Sequence, residues 1–190
     1  MTTSLPAVRG AHLKSLVRAL PELGVDAMAS IRAAIPGTLR RIDDAPRLAW
    51  LRAERLVELC EAARTAVGDD ALERWGAAAL DATLSAPLAR AFYEAALLVE
   101  RRNPAVVFSF VAQAWRLLYA GCGELVVTQP APRQVRIVHA PVPLLLRNPA
   151  TVLPLIGSLA AVPATCGLAG SGVAEWTAAS PRFVYVIRWS

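Results

Sequence analysis

The sequence predicts an α+β fold with helices first and an antiparallel sheet last, and three observations predict it. Apolar residues recur at helical spacing through about residue 120. Two pairs of short alternating segments follow, each pair interrupted by a proline-bearing turn. Between the pairs lies 148–167, NPATVLPLIGSLAAVPATCG, which is apolar and uncharged. The expected architecture is a single domain, 1–190. A helical lobe of about six helices over 1–120 precedes a ββαββ lobe over 121–190. The central helix is expected to pack on the four-stranded antiparallel sheet.

Each element has its own signal. Leu13, Leu16, Val17 and Leu20 form one helical stripe, ended or bent by Pro21 and Gly24. Met28, Ile31 and Ile35 mark a second, short helix. The polar stretch 37–46 is expected to be a connector with a turn of helix. Leu56, Leu59, Cys60, Ala63 and Val67 define a third helix, stopped by Gly68. Asp70 and Glu73 stand in capping-box register for a fourth, which buries Leu72, Trp75, Ala79, Leu80 and Thr83. Pro87 opens a fifth, with Leu88, Ala91, Phe92, Ala95 and Val99 inward. Asn103-Pro104 caps and starts a sixth, with Val107, Val111, Ala114, Trp115 and Leu118 on its stripe.

At Gly123 the period falls to two. Leu125 and Val127, then Val135, Ile137 and His139, make a hairpin about the turn 130–133. Asn148-Pro149 opens the central helix. After a glycine-rich link over 167–172, residues 173–178 and 183–189 make a second hairpin about Ser180-Pro181. In the last strand Phe183, Tyr185, Ile187 and Trp189 share one face.

The composition narrows the function. At 55% hydrophobic and 18% charged, the chain is globular rather than disordered. Cys60, Cys122 and Cys166 are odd in number and widely spaced, which argues against a disulfide framework or a metal cluster and for a reducing, cytoplasmic setting. The opening residues lack a basic region and an apolar run, so no signal peptide is expected. Net charge is +5, but the basic residues are nineteen Arg and Lys14, dispersed and not interleaved with aromatics. No nucleic-acid partner is expected.

Residues 148–174 carry no charge over 27 positions, long enough to cross a bilayer. Pro154, Pro163 and four glycines interrupt the stretch, no Trp or Tyr belt brackets it, and strands abut both ends. A helix enclosed by protein would be as apolar. Burial is the expectation; a membrane anchor through 148–174 is the alternative.

No catalytic set stands out. His12 and His139 are expected at opposite ends of the fold, each a surface or partly buried polar residue, without metal-ligand spacing. No serine occupies a nucleophile elbow, and the glycines at 167–172 follow a helix, the wrong order for a phosphate loop. Asp43-Asp44 and Asp69-Asp70 suit helix caps. The richer signal is aromatic. Phe108, Trp115, Tyr119, Trp176 and Tyr185, with Leu155 and Leu159 of the central helix, form a candidate apolar pocket for an apolar or planar ligand. Plain core packing is the competing account of the same residues.

Four stretches carry a resemblance: AWLRAERLVELCEAA (49–63), GDDALERWGAAALDATL (68–84), NPAVVFSFVAQAWRLLYAGCGELVV (103–127) and FVYVIRW (183–189). With the element order, they resemble the superfamily of 4-vinyl reductase domains, haem-dependent nitric-oxide sensor domains and TRAPP vesicle-tethering subunits. More closely they are similar to a bacterial paralogous family of unassigned function labelled haem/nitric-oxide-binding-like. The resemblance implies an apolar pocket between helices and sheet, and a homodimer formed through the helical lobe. Haem-binding relatives need an axial histidine on a pocket helix and a Tyr-x-Ser-x-Arg motif. The helices after residue 12 contain no histidine, and Tyr93 and Tyr119 lack the Ser and Arg, so no cofactor is predicted and haem is not expected.

The functional expectation is therefore a non-enzymatic sensory or regulatory domain that binds an apolar small molecule or acts as a dimeric adaptor. A ligand-free protein–protein scaffold is the alternative.

Overall fold

The computed structural model describes residues 5–85 and 103–190. The fifth helix expected over 87–99 lies outside the described residues. The helical half contains α1 (Gly10–Arg18), α2 (Val25–Ala34), α3 (Pro36–Asp44), α4 (Glu54–Val67), α5 (Leu72–Leu84) and α6 (Pro104–Leu118). A four-stranded antiparallel sheet is built from β4 (Glu124–Ala131), β5 (Gln134–Ala140), β6 (Gly170–Glu175) and β7 (Phe183–Trp189) in the order β4-β5-β7-β6. Helix α7 (Pro149–Ala161) lies between β5 and β6 in the chain and runs on into a 3-10 turn, Val162–Cys166.

The helical half is not helical throughout. Three short strands, β1 (Ala7–Arg9), β2 (Trp50–Arg52) and β3 (Tyr119–Ala120), form a second antiparallel sheet in the order β2-β1-β3. Strands of two or three residues are too short to show alternation, so no period-two signal marks them. Arg9 ties this sheet together: its guanidinium lies 3.8 Å over the Trp50 ring, and its Nε donates to the Leu117 carbonyl at 3.1 Å.

Three local expectations are corrected. The stretch expected as a connector is helix α3, which buries Thr38 and Ile42 one turn apart. Its polarity reflects a helix with a narrow buried stripe. Asp70 does not cap α5. The amide of Leu72 bonds the Asp69 carbonyl at 3.1 Å, and that turn sets Ala71 at the N-cap with no side-chain cap. The link at 167–172 is partly strand, since β6 begins at Gly170. A Cβ on Gly170 would sit 2.2 Å from the Ala160 carbonyl oxygen, so glycine is what lets the strand lie against α7. The two asparagine caps form as the sequence indicates: Asn103 accepts from the Ala105 amide and Asn148 from the Thr151 amide, each at 3.0 Å.

Helix α7 packs on the sheet chiefly at β6 and β7, and its most extensive contact is with α5. That contact rests on two glycines. A Cβ on Gly76 would fall 1.9 Å from the Pro154 carbonyl oxygen, and one on Gly157 would fall 1.9 Å from that of Glu73. The backbones therefore touch, and Ser158 Oγ adds a hydrogen bond to the Gly76 carbonyl at 2.7 Å. By length and composition the 18 residues Pro149–Cys166 could cross a membrane, and 50% of them are buried within the protein. Helix α6 covers the β4 side of the sheet. The inner sheet face, with Val135, Ile137, His139, Phe183, Tyr185 and Ile187, is buried.

Candidate functional site

A cavity of about 150 Å³ lies where α1, α4, α5, α6 and α7 converge above the β3–β4 turn. Each helix gives it one stripe at helical spacing. His12 and Leu16 come from α1, and Leu56 and Cys60 from α4. Val111, Trp115 and Leu118 come from α6, and Thr151, Leu155 and Leu159 from α7. Leu80 and Thr83 of α5 and Leu125 of β4 complete the described lining with their neighbours.

Of the seven pocket residues expected from sequence, the structure brings Trp115, Tyr119, Leu155 and Leu159 to this cavity. Phe108, Trp176 and Tyr185 stand apart from it. Phe108 stacks on Trp189 at 6.0 Å, Trp176 packs on Phe183 at 5.5 Å, and Tyr185 is buried on the inner sheet face. They share the aromatic character of the pocket residues but face the sheet, a distinction composition cannot make.

The polar end of the cavity was missed in the sequence. The chain leaves α6 at Tyr119, which adopts an extended conformation and pairs with Val8 of β1. β1 runs directly into α1, so the Tyr119 hydroxyl reaches His12 Nε2 at 2.6 Å. His12 Nδ1 is buried with no hydrogen-bond partner. Protein encloses the ring, and burial lowers its pKa to about 4, so it is neutral at pH 7. His12 keeps partial accessibility and lines the cavity. Burial also raises the Tyr119 hydroxyl well above its ordinary value, so the phenol is un-ionised.

The expectation that the two histidines sit at opposite ends of the fold is corrected. Tyr119 stacks on Trp115 at 3.8 Å, and Trp115 meets the His139 ring edge-on at 4.8 Å. His139 is 2% exposed, so it is a core residue rather than a surface one. Its Nε2 donates to the Cys122 carbonyl at 2.7 Å, which leaves Nδ1 as the acceptor facing the Tyr185 hydroxyl at 3.5 Å. Desolvation lowers the pKa of His139, only partly offset by that hydrogen bond.

The remaining hydroxyls on the lining are occupied. Thr83 donates to the Ala79 carbonyl at 2.8 Å, Thr151 to that of Leu146 at 2.7 Å, and Ser158 to that of Gly76. Cys60 is a buried thiol whose pKa desolvation pushes up strongly, so it lines the cavity as a small apolar group.

This arrangement defines an α+β domain with an apolar cavity bordered by a neutral imidazole–phenol pair. No family model matches the sequence, and no curated protein matches it. Solved structures do share its fold, H-NOX proteins among them. One is an Fe(II) unliganded H-NOX protein from K. algicida, 11% identical, with a TM-score of 0.65 and 96% of each chain covered. Another is an oxygen-binding H-NOX domain related to soluble guanylate cyclases, solved as its oxygen complex. It is 10% identical, with a TM-score of 0.65, covering 96% of this chain and 95% of that one.

The expectation that haem is absent is corrected by this likeness: the fold found here along nearly the whole chain is that of iron and oxygen-binding H-NOX proteins. The described lining offers such a group an imidazole, but His12 Nε2 is engaged with Tyr119, Nδ1 is buried, and the volume is small. His12 is the imidazole on the described lining, and imidazole ligates haem iron. The 150 Å³ cavity is smaller than the roughly 300 Å³ at which pockets for drug-sized ligands begin. With the side chains as they stand, a porphyrin does not fit beside His12.

Proposed function

We propose that this chain is a sensory or regulatory domain without catalysis of its own, in which a guest in the cavity is sensed through the packing of α1, α6 and α7. The observation that carries the proposal is the apolar cavity with an under-bonded His12–Tyr119 pair on its wall. An apolar cavity with few polar groups is a binding feature, whereas catalysis needs convergent, activated acid, base or nucleophile groups. Here the lining hydroxyls are tied to carbonyls and the thiol and phenol are held neutral. The H-NOX fold supports the sensory role by analogy. Three buried cysteine thiols suit work in the reducing cytoplasm. A homodimer or adaptor arrangement belongs to the same proposal, and light scattering across a dilution series tests it.

The Fe(II) and oxygen-complexed neighbours raise haem as a second candidate guest, one that the described lining admits only if its helices move apart. One experiment addresses both candidates. The protein is expressed with a haem precursor, purified gently and examined by native mass spectrometry and visible absorption. A retained guest mass is expected, and a Soret band would assign it to haem. Guest-free protein whose Trp fluorescence and thermal midpoint respond neither to haem nor to small apolar molecules would end the proposal.

A further inference from the structure

Resting on the reading of this cavity as a ligand site, we propose that its ligand is an uncharged single-ring molecule bearing one hydroxyl, of the phenol class, bonded to the Tyr119–His12 pair. Size is the first argument. An apolar cavity of about 150 Å³ is the size that holds one benzene-like ring.

Charge is the second. The described lining carries no Asp, Glu, Lys or Arg, so an ionic guest would lose its water without gaining a counter-ion. His12 does not supply one, because its burial keeps it neutral at pH 7.

Hydrogen bonding is the third. Thr83, Thr151 and Ser158 already donate to main-chain carbonyls. The His12–Tyr119 contact is the polar group at the Trp115 end of the cavity, and it is unsaturated in either tautomer. If His12 carries its proton on Nδ1, Tyr119 donates to Nε2, and the Tyr119 oxygen keeps a free lone pair. If the proton is on Nε2, that N–H donates to Tyr119, whose own O–H then lacks an acceptor. A hydroxyl serves both cases, donating to the Tyr119 oxygen in the first and accepting from its O–H in the second. A ketone or an ether could answer only the second. Trp115, stacked on Tyr119 at 3.8 Å and tilted by 14°, gives the same end of the cavity an aromatic wall suited to a ring.

The test titrates phenol, toluene and benzoate into wild type and Tyr119→Phe, read by Trp fluorescence and thermal shift, with circular dichroism as the check on folding. Phenol and toluene are expected to bind wild type and benzoate not to. In Tyr119→Phe the phenol-to-toluene affinity ratio should fall about tenfold, the loss of one good hydrogen bond, with toluene affinity kept. Leu159→Phe, which fills the cavity without touching the pair, should weaken both rings together and leave the ratio alone. An unchanged ratio in Tyr119→Phe, binding of benzoate, or no binding of either ring to wild type overturns the ligand class. Should native mass spectrometry then show a different retained guest, such as haem, the sensory proposal stands while the phenol class falls.

Discussion

His12 and Tyr119 meet at 2.6 Å through the shortest sheet in the molecule. Val8 pairs with Tyr119 across β1 and β3, and His12 follows on the helix that β1 leads into. A two-residue strand thus sets a polar side-chain contact on the wall of an apolar cavity, and the consequences of that burial are measurable.

Acid should destabilise the fold through His12. Its folded pKa is about 4, below the 6.5 of the free side chain. The unfolded chain therefore binds the extra proton first, and the stability tied to neutral His12 is complete above pH 6.5 and lost as pH falls toward 4. The full effect is about 3 kcal/mol. Buried His139 acts in the same direction. Urea unfolding of wild type and His12→Gln at pH 7 and pH 4.5 should show a smaller acid loss in the variant; equal losses would refute the shift.

Alanine at the α5–α7 crossing should be severe. A Cβ on Gly76 or Gly157 would overlap a carbonyl at 1.9 Å, and the obstacle is backbone. Gly76→Ala and Gly157→Ala should each cost about 3 kcal/mol or prevent folding. Gly37→Ala, in α3 with nothing near its Cβ, should be neutral or stabilise by about 0.5 kcal/mol. Thermal midpoints of the three variants check the contrast.

The asparagine caps should each be worth about 1 kcal/mol. Asn148 does more than Asn103: it accepts from the Thr151 amide, and its Nδ2 donates to the Leu145 carbonyl at 3.0 Å. Asn148→Ala should therefore cost more than Asn103→Ala in denaturant midpoints. The reverse order would show that the second bond contributes nothing.

The thiols should be silent in the native protein. Cys60, Cys122 and Cys166 are buried, and burial raises the Cys122 pKa to about 11 and that of Cys60 further. Thiolate is the reactive form. Ellman's reagent should find fewer than one reactive thiol in minutes at pH 8 and all three in guanidinium. Prompt native labelling of Cys60 would mean that the cavity opens readily.

Much of the helix and strand pattern was legible in the sequence, since it rests on local periodicity and on caps such as Asn103 and Asn148. What stayed hidden shares one cause. Strands β1, β2 and β3 are shorter than the window in which a period can be seen. The glycines at 76 and 157 look like helix weaknesses until the crossing helix shows why no side chain fits. Trp115, Tyr119, Phe108 and Tyr185 look alike along the chain, and only packing sends the first two to the cavity and the others to the sheet.

The sequence by itself determined which segments bury a face and in what order they follow, because side-chain periodicity is a property of the local chain. The tertiary structure alone decided that His12, Tyr119, Trp115 and His139 form one continuous contact. It alone left His12 Nδ1 buried without a partner in a ring that lines a cavity. A hydrogen bond or a void belongs to groups distant in the chain, so it exists only once the helices have closed around it.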